Sequence, residues 1–366
     1  MHTSSAIRWF MLAFILIGCC SWGFAHGSGS MIPDDVREAV RTLVDAGAHV
    51  GIAVGLVSPS GTEFFCYGHQ SLSGDRPINE RTLFEIGSVG KTFTASLLAA
   101  WTVQGEVALT DPVRLYLPET VVLPTRSGRE ITLEHLATHT SGLPSIPENL
   151  DPADWDNPYA DYTVDQMYEF LSSLTTVRIG EYEYSNLGMG LLGHALAYRA
   201  GTSYEQLVID TLATPLGLAD TCITLTPEQE ARTATGHNAD GAYPRWDIPT
   251  LPGAGALLST AADLARFVGA NLGLVDTPLA DALRMTHTIR VPRHMPVGLA
   301  WHLLITADKT IVEHHGATGG NWSYVGFIPD EQRGVVVLAN TYANVDSLGI
   351  HLLDPNVPLD VPDSSP

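Results

Sequence analysis

The chain has 366 residues, 45% of them hydrophobic, and a formal net charge of -21 at pH 7. That apolar fraction supports one or two packed domains and excludes a chain disordered throughout. An acidic surface repels phosphate, which excludes a nucleic-acid partner. The charge reads instead as a solvated, self-repelling surface.

The N-terminus reads as an export leader. Arg8 is the one early charge, and an apolar run over 9–17 leads into Gly18-Cys19-Cys20. Some ten apolar residues are too few to span a bilayer as a mature helix. Two processing routes fit. Cleavage after Gly23-Phe24-Ala25 gives a signal peptide over 1–25. Leu16-Ile17-Gly18-Cys19 also fits a lipoprotein-type cut before Cys19, which would carry the lipid and be the sole membrane attachment. Either route exports the protein to the periplasm or the medium. Beyond the leader only Cys66 and Cys222 remain. Export permits a disulfide between them, and two buried thiols fit equally well.

The pattern over 32–48 predicts an amphipathic helix. Apolar runs at 51–58 and 63–67, joined by Pro59-Ser60-Gly61, predict a strand–turn–strand unit. A helix is expected from Ser88 to about Gln104, with Gly105 as its stop. Residues 143–161, rich in Pro, Asn and Asp, read as a long surface loop. Capping boxes at Thr163-Val164-Asp165-Gln166 and Thr226-Pro227-Glu228-Gln229 open two helices. Ser259 or Thr260 caps another, running through Phe267. Strands are expected at 299–305, 310–313, 324–328 and 335–338, then a helix over 345–353. The tail over 354–366 carries several prolines and is expected to be loose.

Strands at both ends and helices between them predict one sheet built from both termini. The expectation is a single α+β domain over 32–353, with a mainly antiparallel sheet flanked by helices. The sheet would come from about 48–68 and 297–340, and a helical lobe from about 100–290. A cleft between sheet and lobe is where a site is expected.

The chemistry begins at Ser88-Val89-Gly90-Lys91. Residues three apart share a helix face, so the lysine amine can reach the serine hydroxyl. Serine needs a base at neutral pH, and a lysine serves if burial lowers its pKa. The chain has only two lysines, Lys91 and Lys309, against 17 arginines. Chance supplies about 0.13 such serine–lysine pairs, so the spacing is informative. The bland alternative is a helix-capping serine beside a solvated lysine. A second element, Tyr184-Ser185-Asn186, offers a phenol to relay protons and an amide to hold an acyl group. A second Tyr-x-Asn match, Tyr342-Ala343-Asn344, follows the last strand and reads as a decoy; Tyr184 instead opens an apolar helix.

The third element is His314-His315-Gly316-Ala317-Thr318-Gly319-Gly320, a strand ending in small residues that admit a substrate backbone. Neighbouring strand histidines point to opposite faces and chelate poorly. His135 and His139 have helical metal spacing but lack a third ligand. No metal and no organic cofactor is expected.

Taken together and in this order, the three elements resemble the penicillin-recognising serine hydrolases, specifically the class C β-lactamase group with its related D-alanyl-D-alanine peptidases and esterases. The likeness extends past the signatures. Residues from Phe84 to Thr94, around Ser88 and Lys91, resemble the nucleophile segment. Segments Asp111 to Glu119, Ile131 to Pro144, Leu258 to Asp263, Gly316 to Gly320 and Tyr324 to Pro329 are similar too, and the resemblance spans roughly 33 to 350.

It implies a β-lactamase/transpeptidase-like fold and acyl transfer through a covalent Ser88 ester. Lys91 and Tyr184 would share the general-base and general-acid work, in an order left open. Asn186 would bind the acyl-side amide, and the Ser88 and Ala317 N–H groups would form the oxyanion hole. It also recasts His135 and His139 as scaffold.

One position departs from the pattern. Class C enzymes carry Lys-Thr-Gly where this chain has His314-His315-Gly316. His314 would then read a substrate carboxylate only when protonated, near its ordinary pKa of ~6.5. Gly316 would allow close approach of substrate. The implied substrates are β-lactams, D-alanyl-D-alanine peptides of the cell wall, or small esters. A sensor that acylates without turnover is the non-enzyme alternative. A monomer is expected.

Overall fold

The computed structural model describes residues 30–361. The expected leader, with Cys19, and residues 362–366 lie outside the described residues. The first helix, α1, spans Asp34–Asp45 and buries Val36, Ala39, Val40 and Leu43. Its Pro33 N-cap and terminal Ala46 trim the expected span at both ends. Strands β1 (Gly51–Ser58) and β2 (Gly61–Gly68) form the expected hairpin. Strands β7 (His302–Ile305), β8 (Thr310–Ala317), β9 (Trp322–Ile328) and β10 (Arg333–Ala339) come from the other end.

All six strands join in one antiparallel sheet of order β2-β1-β10-β9-β8-β7. The N-terminal hairpin and the C-terminal strands therefore join inside the sheet, where β1 pairs with β10. Alternation along these two strands divides the core. Ile52, Val54, Val335 and Val337 face α1 and the terminal helix Asp346–Leu353. Ala53, Val57, Val336 and Leu338 face the opposite way, towards the helix Ala261–Asn271 and the lobe. Both faces are covered, so these strands read as unbroken apolar runs.

The strand expected at 299–305 begins only at His302. Leu299, Ala300 and Trp301 are fully buried in a corner instead, with Ala300 at φ 63° and its N–H on Ala137 O at 2.7 Å. The apolar run that suggested strand there is core packing. The tail is not loose over 354–361. His351 Nδ1 lies 2.6 Å from Val357 O, Asp360 N–H donates to Ser347 Oγ at 3.2 Å, and Leu359 and Val361 pack on the sheet's outer core.

A short strand, β3 (Leu83–Glu85), pairs antiparallel with Leu258–Thr260. It delivers the chain into a single 3-10 turn, Gly87–Val89, and then α2 (Gly90–Gln104). Helix α2 is buried from Gly90 to Ala100. A helix apolar around its whole girth belongs in the centre of a domain, and Phe93, Leu97 and Leu98 lie in the main core. Further on come α3 (Leu133–Ala137), α4 (Val164–Ser173) and α5 (Asn186–Ala200). The capping boxes at Thr163 and Thr226 both form, and Thr260 is the N-cap of Ala261–Asn271. Cys66 and Cys222 are free thiols. Among the described residues no helix is long and apolar enough to cross a membrane.

Candidate active site

Ser88 occupies the middle of the turn between β3 and α2. The turn is held from three directions. Ile86 N–H donates to Leu257 O at 3.1 Å, Val89 N–H to Ile86 O at 3.1 Å, and Ser323 Oγ to Ile86 O at 2.8 Å. Strand β8 presses against it. A Cβ added to Gly316 would lie 2.2 Å from Ile86 O and 2.7 Å from Ser88 N. Gly87 sits at φ 47°, and a Cβ there would meet Ala317 N at 2.8 Å. Two glycines thus let the backbones of 87–88 and 316–317 come together, with the amides of Ser88 and Ala317 beside one another.

Lys91 is completely buried at the start of α2. Its Nζ lies 2.8 Å from Ser88 Oγ and donates to Ala254 O at 2.6 Å. Burial pulls its pKa down from 10.5 to about 7. Burial thus favours the neutral amine at neutral pH, and a neutral amine has one lone pair to offer. Two N–H bonds remain for the fixed carbonyl, so the lone pair can face the serine.

Tyr184 lies two residues before α5, not within it. Ser185 caps the helix, accepting from Gly188 N–H at 2.8 Å and donating to Pro144 O at 2.6 Å. Tyr184 is largely buried beside Ser88, and burial raises its pKa above the ordinary phenol value. Lys91 Nζ lies 5.1 Å from the Tyr184 ring centroid. Asn186 opens α5, with its N–H and that of Leu187 on Ser145 O at 2.9 and 3.1 Å. It lines a small cleft together with Ser88, Ala317 and Thr318.

The cleft also has walls that sequence reasoning missed. Tyr159 and Trp246 meet edge to face at 5.8 Å, with Ile248 beside them. Trp246 N–H donates to Glu85 Oε1 at 2.9 Å, while Thr318 Oγ1 and Asn321 Nδ2 donate to Glu85 Oε2 at 3.2 and 2.7 Å. Burial pushes Glu85 up to about 7. This carboxyl ties both sides of the cleft mouth together. Aromatics within a Pro- and Asp-rich loop were the available signal, since such loops commonly line sites. They lack the periodicity that would assign them.

His314 requires a correction. Its ring is 1% exposed, stacked on His302 at 5.3 Å and 6.4 Å from Tyr184. Nδ1 lies 2.6 Å from His315 O, and Nε2 has no partner. Burial first, then His302, Lys91 and His315, holds its pKa well below 6.5. Glu313, raised to about 8 by burial and by Asp346, supplies no countercharge. The ring is neutral through the neutral range, so the expected titration near pH 6.5 does not arise. His315 points outward, 3.5 Å from Asp346.

The decoy behaves otherwise. Tyr342 is 56% exposed and packs on Trp322 at 5.7 Å, while Asn344 Nδ2 donates to Asp346. His135 completes the Thr132 cap of α3. Among the described residues no group of three or more His, Cys, Asp or Glu could hold a metal ion.

Comparison with known proteins agrees with this geometry. The β-lactamase family model matches residues 36–351. A β-lactamase of Pseudomonas fluorescens is 29% identical over 352 residues, covering 85% of this chain and 96% of that protein. The D-alanyl-D-alanine-carboxypeptidase/endopeptidase AmpH of Escherichia coli K12 is 29% identical over 320 residues, covering 82% of each. The solved class C β-lactamase from Rhodobacter sphaeroides superposes with a TM-score of 0.78 at 25% identity, covering 89% of this chain and 99% of that one. The chain belongs to the β-lactamase family.

Proposed function

We propose that this protein is a serine acyl-hydrolase that opens β-lactam amides or related penicillin-binding substrates through a Ser88 acyl-enzyme. The observation that carries the reading is the 2.8 Å contact between Ser88 Oγ and a fully buried Lys91 amine. Neutral Lys91 takes the hydroxyl proton as Ser88 attacks the carbonyl carbon. The carbonyl electron pair moves to oxygen, where the N–H groups of Ser88 and Ala317 stabilise it; one such donor is commonly worth about 3 kcal/mol. Tyr184, kept protonated by its raised pKa, hands its proton to the departing nitrogen, and Lys91 reprotonates the phenol. Burial supports this order, since it lowers the pKa of the lysine and raises that of the phenol. Water then attacks the ester with the roles reversed and frees Ser88. Asn186 holds the acyl-side amide, and Gly316 admits the substrate backbone.

A second reading, small-ester esterase, is favoured by the neutral His314 where class C enzymes carry lysine; D-alanyl-D-alanine carboxypeptidase, whose leaving group is anionic, is supported instead by the likeness to AmpH. Without that cation, preference shifts away from anionic leaving groups. We further propose that residues 1–25 export the protein to the periplasm or medium, with lipidation at Cys19 as the alternative. The catalytic unit would be a monomer needing no metal, organic cofactor or nucleic acid. Turnover of a chromogenic cephalosporin, a D-Ala-D-Ala peptide and a nitrophenyl ester, measured side by side on wild type and Ser88→Ala, tests the reading. Turnover by wild type alone supports it. Equal turnover by both proteins overturns it.

A further inference from the structure

We propose that His139 is a positioning residue that sets the place of Tyr184, and that its backbone conformation is kept for this purpose. The inference rests on the role given to Tyr184 above. Sequence reasoning left His139 as scaffold, and its spacing with His135 suggested at most a metal. The structure gives it more specific contacts.

Three contacts converge from this one residue onto three consecutive ones. Glu183 N–H donates to His139 O at 2.8 Å. Ser185 N–H donates to His139 Nδ1 at 3.1 Å. Between those anchors, the imidazole lies against the Tyr184 ring at 4.4 Å, inclined by 31°. The residues before and after the tyrosine are therefore fixed by the same residue that supports its ring face. Lys91 lies 5.1 Å from that ring as well, so few positions remain open to it.

The conformation of His139 makes this geometry possible. It sits at φ 57°, one of four non-glycine residues at positive φ among those described. In that left-handed turn its carbonyl and its side chain both meet the incoming segment, at Glu183 and Ser185. Histidine is among the residues enriched there. The turn is locked further on, where a Cβ at Gly142 would lie 2.3 Å from Arg178 N, and Gly180 N–H donates to Thr140 O at 2.8 Å. The segment carrying Tyr184 is thus laid against the turn from residue 178 onwards.

The hydrogen bond also fixes the tautomer. Because Nδ1 accepts from Ser185, the ring proton is on Nε2, which is buried without a partner. Burial, with Lys91 and His302 nearby, keeps the ring from gaining a second proton. Tyr182, His302 and His314 complete the surroundings of Tyr184, and both histidines are held neutral by burial. A neutral His139 therefore supports the phenol without adding a charge that would compete with Lys91.

A double-mutant cycle tests the assignment. His139→Asn suits the left-handed turn but removes the ring; His139→Phe keeps a ring but leaves Ser185 N–H without its acceptor. Each should slow single-turnover acylation of Ser88 by a chromogenic cephalosporin about 10–100-fold, with its concentration dependence unchanged, since a phenol displaced by about 1 Å loses that much. In a Tyr184→Phe background, with no hydroxyl left to aim, the same changes should alter the rate less than about twofold.

An undiminished rate in His139→Asn overturns the proposal, as does the same fractional loss in both backgrounds, which marks a general structural role. If Tyr184→Phe alone is harmless, the role of Tyr184 fails, and this proposal with it. A damaging Tyr184→Phe with a harmless His139→Asn removes only the positioning role. If both variants lose their melting transition, the wild-type protein still decides. Its Ser185 amide should exchange slowly with deuterium before and after acylation, and exchange at the rate of an exposed loop would overturn the inference.

Discussion

Replacing Lys91 by methionine should strongly reduce acylation and make the protein more stable at neutral pH. The amine is fully buried, and burial lowers its pKa from 10.5 to about 7. At ~1.4 kcal/mol per pKa unit the gap sets an upper bound of ~5 kcal/mol on the cost of folding with a charged Lys91. Two hydrogen bonds, to Ser88 and Ala254, offset ~1 kcal/mol each. A net gain of ~1–3 kcal/mol in Lys91→Met is expected at or below pH 7.

The sign follows from proton counting. Between the folded value near 7 and the unfolded value near 10.5, the unfolded chain binds more protons, so wild-type stability rises with pH. Below pH 7 both states are protonated and the full cost applies; above the unfolded value it vanishes. Denaturant titrations at pH 6, 7, 8 and 9 should show wild type gaining on Lys91→Met by up to ~1.4 kcal/mol per unit above pH 7. Parallel pH profiles for the two proteins, or a variant less stable than wild type at pH 6, would refute a neutralised buried amine.

Tyr184→Phe should slow acylation by ~10²–10⁴, whereas Tyr342→Phe, altering a phenol 56% exposed to solvent, should leave stopped-flow rates unchanged. Gly316→Ala drives a methyl group to 2.2 Å from Ile86 O and 2.7 Å from Ser88 N. Both obstacles are backbone, so a loss of ~1–3 kcal/mol in denaturant titration and loss of covalent labelling are expected. Because His314 is buried and neutral, the ratio of KM for a carboxylate-bearing substrate to KM for a neutral ester should stay flat from pH 6 to 8. His314→Lys would place a second amine near Lys91, and thermal melting should show it less stable than wild type at pH 7.

Much of this was legible in the chain. The apolar runs with their turn residues, the Thr163 and Thr226 caps and the Ser88–Lys91 spacing are local, and each local rule gave its element. The sheet built from both termini followed from where the apolar runs fell. What could not be read depends on tertiary contact. The corner 299–301 and a strand have the same apolar pattern, and only the buried turn at Ala300 separates them. His314 sits where class C enzymes carry lysine, yet its protonation is set by burial and by His302, which comes from another strand. Tyr159, Trp246 and Glu85 reach the cleft from loops and a short strand distant in sequence. His139 is in a left-handed conformation that no pattern of residue types announces.

The central claim is that Ser88, activated by Lys91, forms the acyl-enzyme. Incubating the protein with a penicillin or a fluorophosphonate, digesting it and mapping the adduct by mass spectrometry tests that directly. The account predicts a single modified residue, Ser88, with no adduct in Ser88→Ala and a strongly reduced one in Lys91→Met. An adduct on another serine, or undiminished labelling of Ser88→Ala, would contradict it.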